Sequence, residues 1–262
     1  MSEVEELSDL ESVASHVVEL EPLKKKRKMS PVAFSDPTAT VNLIVGRDHN
    51  EKTFLVRAEV ANKSPVLKAS FESNNYLDED DECYDAERDH TYRFGDSTSE
   101  GALRFLVQWL YSQELTVFRL RDNDAEGEEN PWAHDDERTE YLDQEELDLI
   151  NLWVLAEELE LPELQNLALT TIDGVIRLGE PGHCDVHLHV IDHIYNITDI
   201  WEHPLRLYIV AASAQHISLD RYDHGDIPSE LSIEFLFELA QYQPRNPHKQ
   251  VCNIADFLVN VD

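Results

Sequence analysis

The stretch that most constrains this chain is residues 53–71, TFLVRAEVANKSPVLKASF. Thr53, Phe54, Leu55 and Val56 are β-branched, aromatic or apolar, the types that suit a pleated, half-buried surface. Ser64-Pro65 follows. A serine hydroxyl can accept from free helix N–H groups, and proline at the first helical position lacks an N–H that has no partner there anyway. Val66, Leu67 and Phe71 come next at helical spacing. The segment predicts a short strand running directly into two short helices, with Ser64 as a helix cap and not as a nucleophile.

Residues 40–45, TVNLIV, read as an earlier strand ending at Gly46, with Asp48, His49 and Asn50 turning the chain back as a hairpin. Residues 90–94, HTYRF, read as a third strand, and residues 115–118 as a fourth, short one. Between them, Asp96-Ser97-Thr98-Ser99 offers N-caps to the helix GALRFLVQWLYSQEL. There Leu103, Leu106, Val107 and Leu110 fall at helical spacing, while Ala102, Phe105 and Trp109 line a second apolar side. A helix apolar on two sides is enclosed by neighbours. Residues 147–159, LDLINLWVLAEEL, predict another such helix, and Pro162 opens the next, PELQNLALTTIDGVI, with Leu164, Leu167, Ala168 and Thr171 on one face. Trp109 and Trp153 are read as core anchors.

The ends differ from this body. Residues 1–35 read as a tail: seven acids precede the cationic block Lys24, Lys25, Lys26, Arg27 and Lys28. That block resembles a nuclear localisation signal read by an import receptor; the alternative is a basic arm pairing with the acidic body. Residues 78–89 and 121–146 hold eight and twelve acids and read as solvated insertions; with the tail they carry half of the 54 acidic residues. After Gly179-Glu180-Pro181-Gly182, residues 179–262 predict an all-helical extension. Pro204 starts a helix with Leu205, Tyr208, Ile209 and Ala212 on one face, and Pro228-Ser229 one bearing Ile233, Leu236, Phe237 and Ala240; residues 250–262 are a weak helix or tail.

The formal net charge is −33, which repels nucleic-acid phosphates and anionic membranes, so neither is expected as a direct partner. Three distant cysteines, Cys83, Cys184 and Cys252, form no disulfide framework. No apolar run approaches the roughly 18 residues of a membrane span, and the N-terminus is acidic where a secretory signal is basic and then apolar. The expectation is a protein of the nucleus and/or cytoplasm.

Little in the chain suggests chemistry. His183, Cys184, Asp185, His187, His189 and His193 form a metal-like cluster, and His189 and His193 would share a helix face. The same residues also fit an amphipathic helix with its histidines on the wet side, so no metal ligand is assigned. No phosphate-cradling glycine loop and no G-x-S-x-G elbow occurs among the eight glycines. Carboxylates are too many for any pair to stand out. No catalytic residue and no cofactor is expected.

In order, the strand, hairpin, helix pair, strand, the helix ending FLVQWLYSQEL and the pair WVLAEELELPELQNLAL resemble the BTB/POZ domain, most closely the short fungal members, over residues 36–178. Where that family often has His-Lys after the strand, this chain has Arg57-Ala58. The resemblance implies an α+β fold: a small sheet of three to four short strands flanked by helical hairpins, with Phe71, Trp109 and Leu155 inside. It also implies a non-catalytic protein-interaction module acting as an adaptor. One implied partner is a second copy, through residues 57–71. The other is the cullin scaffold of a ubiquitin ligase, gripped around residues 105–120 and 147–159, with Leu115, Val117 and Phe118 as contacts. The alternative is a nuclear, chromatin- or transcription-associated scaffold whose acidic stretches bind basic proteins.

Overall fold

The first strand, β1 (Thr40–Val45), is buried on both faces: Val41, Leu43 and Val45 on one, Ile44 on the other. In the computed structural model β1 is also the middle strand, with strand order β2-β1-β3. β2 (Lys52–Arg57) pairs antiparallel with β1 from Val45↔Lys52 to Thr40↔Arg57, closing the expected hairpin. Gly46 makes the turn possible: its φ is +82°, and a Cβ there would lie 2.6 Å from the Asn50 carbonyl oxygen. β3 (Thr91–Arg93) lies parallel to β1 on the other side.

The structure describes residues 39–74, 91–95, 97–118, 120, 136–177, 187–198, 202–214, 231–245 and 252–261. These lie in one compact unit, Asp36–Asp262. The tail, the 78–89 insertion, the first part of the 121–146 insertion and the cationic block Lys24–Lys28 fall outside them.

β2 runs straight into α1 (Ala58–Ala61) and then α2 (Pro65–Asn74). Ser64 Oγ accepts from the Leu67 N–H at 3.2 Å, the expected cap. α3 (Glu100–Ser112) is capped by Ser99, which accepts from the Ala102 N–H, and ends at Gln113 in the left-handed conformation. Leu103, Leu106, Trp109 and Leu110 are buried. α4 (Asp136–Glu158) and α5 (Pro162–Ile176) form a hairpin joined through Glu160, at φ +54°, and Leu161. Trp153 and Leu155 are buried in it, and Phe71 is buried on α2. Side chains of this size stabilise by roughly 1.5–3 kcal/mol each when fully enclosed.

Three sequence expectations are corrected. Residues 114–117 carry no strand; Val117 turns inward, and the Phe118 N–H is taken by the Glu145 carboxylate at 2.8 Å instead of a neighbouring strand. α4 begins at Asp136, well inside the stretch read as an acidic loop. Acids there find partners: Glu145 on Phe118 and Glu146 on His187 at 2.8 Å. The third concerns the last helix.

The C-terminal helices are α6 (Leu188–Ile197), α7 (Pro204–Ala214) and α8 (Ile233–Arg245). On α7, Leu205, Tyr208, Ile209 and Ala212 are buried, as their spacing requires. On α8 the buried face is Phe235 and Leu239, while Ile233 and Phe237 are exposed. Ser232 accepts from a first-turn N–H, that of Phe235, and Phe235 packs edge-on against Tyr195; the expected start at Pro228-Ser229 lies outside the described residues. A 3-10 turn, Ile254–Phe257, follows. Asn166 on α5 exchanges two hydrogen bonds with the backbone of Val259, each 2.8 Å, and Phe257 packs edge-on against Tyr208.

Candidate functional site

A groove lined by two exposed aromatic side chains lies between α3, the segment after it and the first half of α4. It encloses about 240 Å³. Arg104, Phe105 and Gln108 come from α3, Thr116 and Phe118 from the following segment, and Tyr141, Gln144, Glu145 and Asp148 from α4. Phe118 and Tyr141 stand edge to face with ring centroids 5.8 Å apart, and both residues are about half exposed, at 42% and 53%. Two adjacent aromatic rings left in water are atypical of a plain solvated face; aromatic side chains of this kind anchor protein interfaces.

The groove is held rigid from below. Ser99 Oγ donates to Asp148 Oδ1 at 2.7 Å while accepting from the Ala102 N–H. Gln144 donates to the same Asp148 oxygen at 3.1 Å. Gly101 faces this carboxylate directly: a Cβ at that position would collide with it. Glu145, buried, fixes the backbone at Phe118 from the α4 side. Tyr141 is therefore set by α4, and the segment that carries Phe118 is tied to the same helix through Glu145.

The expected contact residues separate. Phe118 is at the surface and lines the groove, Leu115 is half-buried, and Val117 is only 2% exposed. Val117 anchors the segment and offers no docking surface. Tyr141, Gln144 and Glu145 escaped the sequence reading because they sit in an acid-rich stretch; the spacing of Leu142 and Leu149, seven residues apart, is the signal that could have extended the helix back over them. In residues 57–71, Val60, Ala61, Leu67 and Phe71 all point inward, whereas Leu55 on β2 is 66% exposed.

The histidine-rich segment also separates. His183, Cys184 and Asp185 lie outside the described residues. His187 and His189 meet Asp143 and Glu146 of α4. His193 reaches Asn151 of α4 at 2.7 Å, and burial lowers its pKa below the ordinary imidazole value. These three histidines face α4, not the wet side of α6.

No protein-family model matches the chain, and no curated protein matches it with significance. No helix among the described residues is long and apolar enough to cross a membrane.

Proposed function

We propose that this chain is a non-catalytic protein-interaction module of the BTB/POZ type, and that it docks the cullin scaffold of a ubiquitin ligase in the groove capped by Phe118 and Tyr141. The observation that carries this reading is that exposed aromatic pair. Phe118 lies in residues 105–120, where the sequence resemblance expects a cullin to be gripped, and Tyr141 packs beside it. Interface energy concentrates in a few aromatic anchors set on a rigid scaffold, and this groove supplies both. The α+β architecture, with a small three-stranded sheet and an α4–α5 hairpin, is compatible with the resemblance.

The test is capture of partners from the native cell on wild-type protein and on Phe118→Ala and Tyr141→Ala variants. The reading expects a cullin on the wild type and its loss from both variants. Histones or other chromatin proteins captured without a cullin would instead favour the nuclear scaffold. Import by the Lys24–Lys28 block is checked separately, by whether Lys25→Ala with Lys26→Ala abolishes nuclear accumulation of a fluorescent fusion.

A further inference from the structure

We propose that Asp143, Glu146, His187 and His189 form a divalent-metal site suited to zinc, which clamps α6 onto α4. One ligand atom from each of the four lies within 4.8 Å of all the others. Two independent elements converge to make this set. On α4, Asp143 and Glu146 are three residues apart and so share a face. On the other side, His187 is the extended N-cap of α6 and His189 sits in its first turn, with their rings stacked 5.3 Å apart. Local sequence could not show this, because the carboxylates precede the histidines by some forty residues along the chain.

Two features point to a cation between these groups. First, the Glu146 side chain is 10% exposed, and its Oε2 lies 2.8 Å from His187 Nδ1 and 3.7 Å from His189 Nε2. Two imidazole nitrogens aimed at one desolvated carboxylate oxygen is the arrangement a bound metal organises. Second, His189 Nε2 is buried and has no hydrogen-bond partner. An orphaned buried ring nitrogen calls for an explanation, and an ion supplies one. Two imidazoles and two carboxylates are borderline-to-hard donors, which suit zinc better than calcium or magnesium. Bonds of about 2.0–2.2 Å put tetrahedral ligand atoms about 3.4 Å apart, so the widest pairs must close by up to about 1.4 Å while the Glu146–His187 pair, hydrogen-bonded at 2.8 Å, opens to admit the ion. Asp143 is half-buried, not locked in the core.

The experiment is calorimetric titration of the full chain with zinc chloride after removal of metal by a chelator, together with cobalt substitution. The expected result is one equivalent bound tightly, intense visible absorption from four-coordinate cobalt, and a zinc-dependent rise in melting temperature. Asp143→Asn and His189→Ala should each weaken zinc at least tenfold and abolish the cobalt bands, whereas His49→Ala, in the exposed turn after β1, should not. Asp143→Asn keeps the side-chain shape, so a folding failure of His189→Ala leaves the test intact. Equal zinc affinity in wild type and Asp143→Asn, or weak binding of several equivalents with no cobalt bands, would show the metal held only by scattered surface acids and would overturn the site.

Discussion

Ser64 Oγ donates a hydrogen bond to the carbonyl oxygen of Leu159 at 2.9 Å, across 95 residues of chain. The same hydroxyl accepts from the Leu67 N–H, so one fully buried oxygen caps α2 and satisfies the C-terminal end of α4. The start of α2 and the α4–α5 hairpin are pinned together at this atom.

Ser64→Ala removes both bonds and leaves a buried carbonyl and a buried N–H without partners. The expected loss is about 2–3 kcal/mol, more than either a cap or a single hydrogen bond alone would cost. Chemical denaturation measures it. A loss below about 0.5 kcal/mol would mean that water enters and replaces both bonds.

Arg206 on α7 is buried and fully engaged. It donates to Thr198 Oγ1 at 2.7 Å, to the Thr198 carbonyl and to the Tyr195 carbonyl, stacks 4.4 Å over the Tyr195 ring, and lies 3.9 Å from Glu238 Oε1. Glu238 in turn accepts from the Tyr195 hydroxyl at 2.6 Å, and burial followed by that carboxylate raises the tyrosine pKa. Arg206→Met should cost about 3–5 kcal/mol by stranding the Glu238 charge. Arg206→Met with Glu238→Leu should recover much of that loss. Arg206→Lys should not, because a point-charge ammonium cannot reproduce the planar fork. Melting temperatures of the three variants check the order.

His203 Nδ1 accepts from the Leu205 N–H at 3.3 Å, at the start of α7, and its ring packs edge-on against Trp153. Protonation there would remove the acceptor and place positive charge at the positive end of a helix. The groups facing it are Glu157 of α4, 3.6 Å from Nε2, and Arg206 of α7. Burial, with Arg206 adding to it, outweighs Glu157 and holds its pKa below the usual 6.5. The unfolded chain therefore binds this proton more readily than the folded one. The stabilisation is complete above the unfolded pKa and is lost as pH falls from there through the folded value. His203→Asn, which keeps an acceptor near the helix start, should make stability less pH-dependent on the acid side. Denaturation of wild type and variant at pH 8 and pH 5 gives the difference; an identical difference in both proteins would contradict it.

Cys252 is buried, and desolvation followed by Asp173 pushes its thiol up to about 11. With Cys83 and Cys184 replaced by serine, alkylation at pH 8 should run at least about tenfold slower than for an unperturbed thiol, since the thiolate is the nucleophile. Unfolding by urea should restore the ordinary rate.

The sheet, the hairpin at Gly46, the Ser64 cap and the α3 and α5 faces were legible because each rests on short-range rules of alternation, capping or helical spacing. Phe118 was named from the resemblance as a contact residue, with no groove in view; its neighbour Tyr141 was not named. High acid density signals solvation, and it hid the start of α4, whose Glu145 and Glu146 gain partners only from distant segments. The phase of α8 was missed for a similar reason. Its spacing allowed two faces, and the choice fell to the Ser232 cap and to Tyr195, neither visible in local periodicity. Val117 was misplaced because the resemblance named it as a contact beside Phe118 without regard to alternation, which sends the two to opposite sides and Val117 into the core.

The most direct test of the central claim is the affinity of the full chain for a purified cullin scaffold, measured for wild type, Phe118→Ala and Tyr141→Ala. Each side chain is about half exposed and the two rings touch, so either substitution should lower the melting temperature only slightly. Binding to the wild type, weakened about tenfold or more by each substitution, equivalent to at least about 1.4 kcal/mol, is the predicted result. No binding to the wild type, or equal affinity in all three proteins, would contradict it.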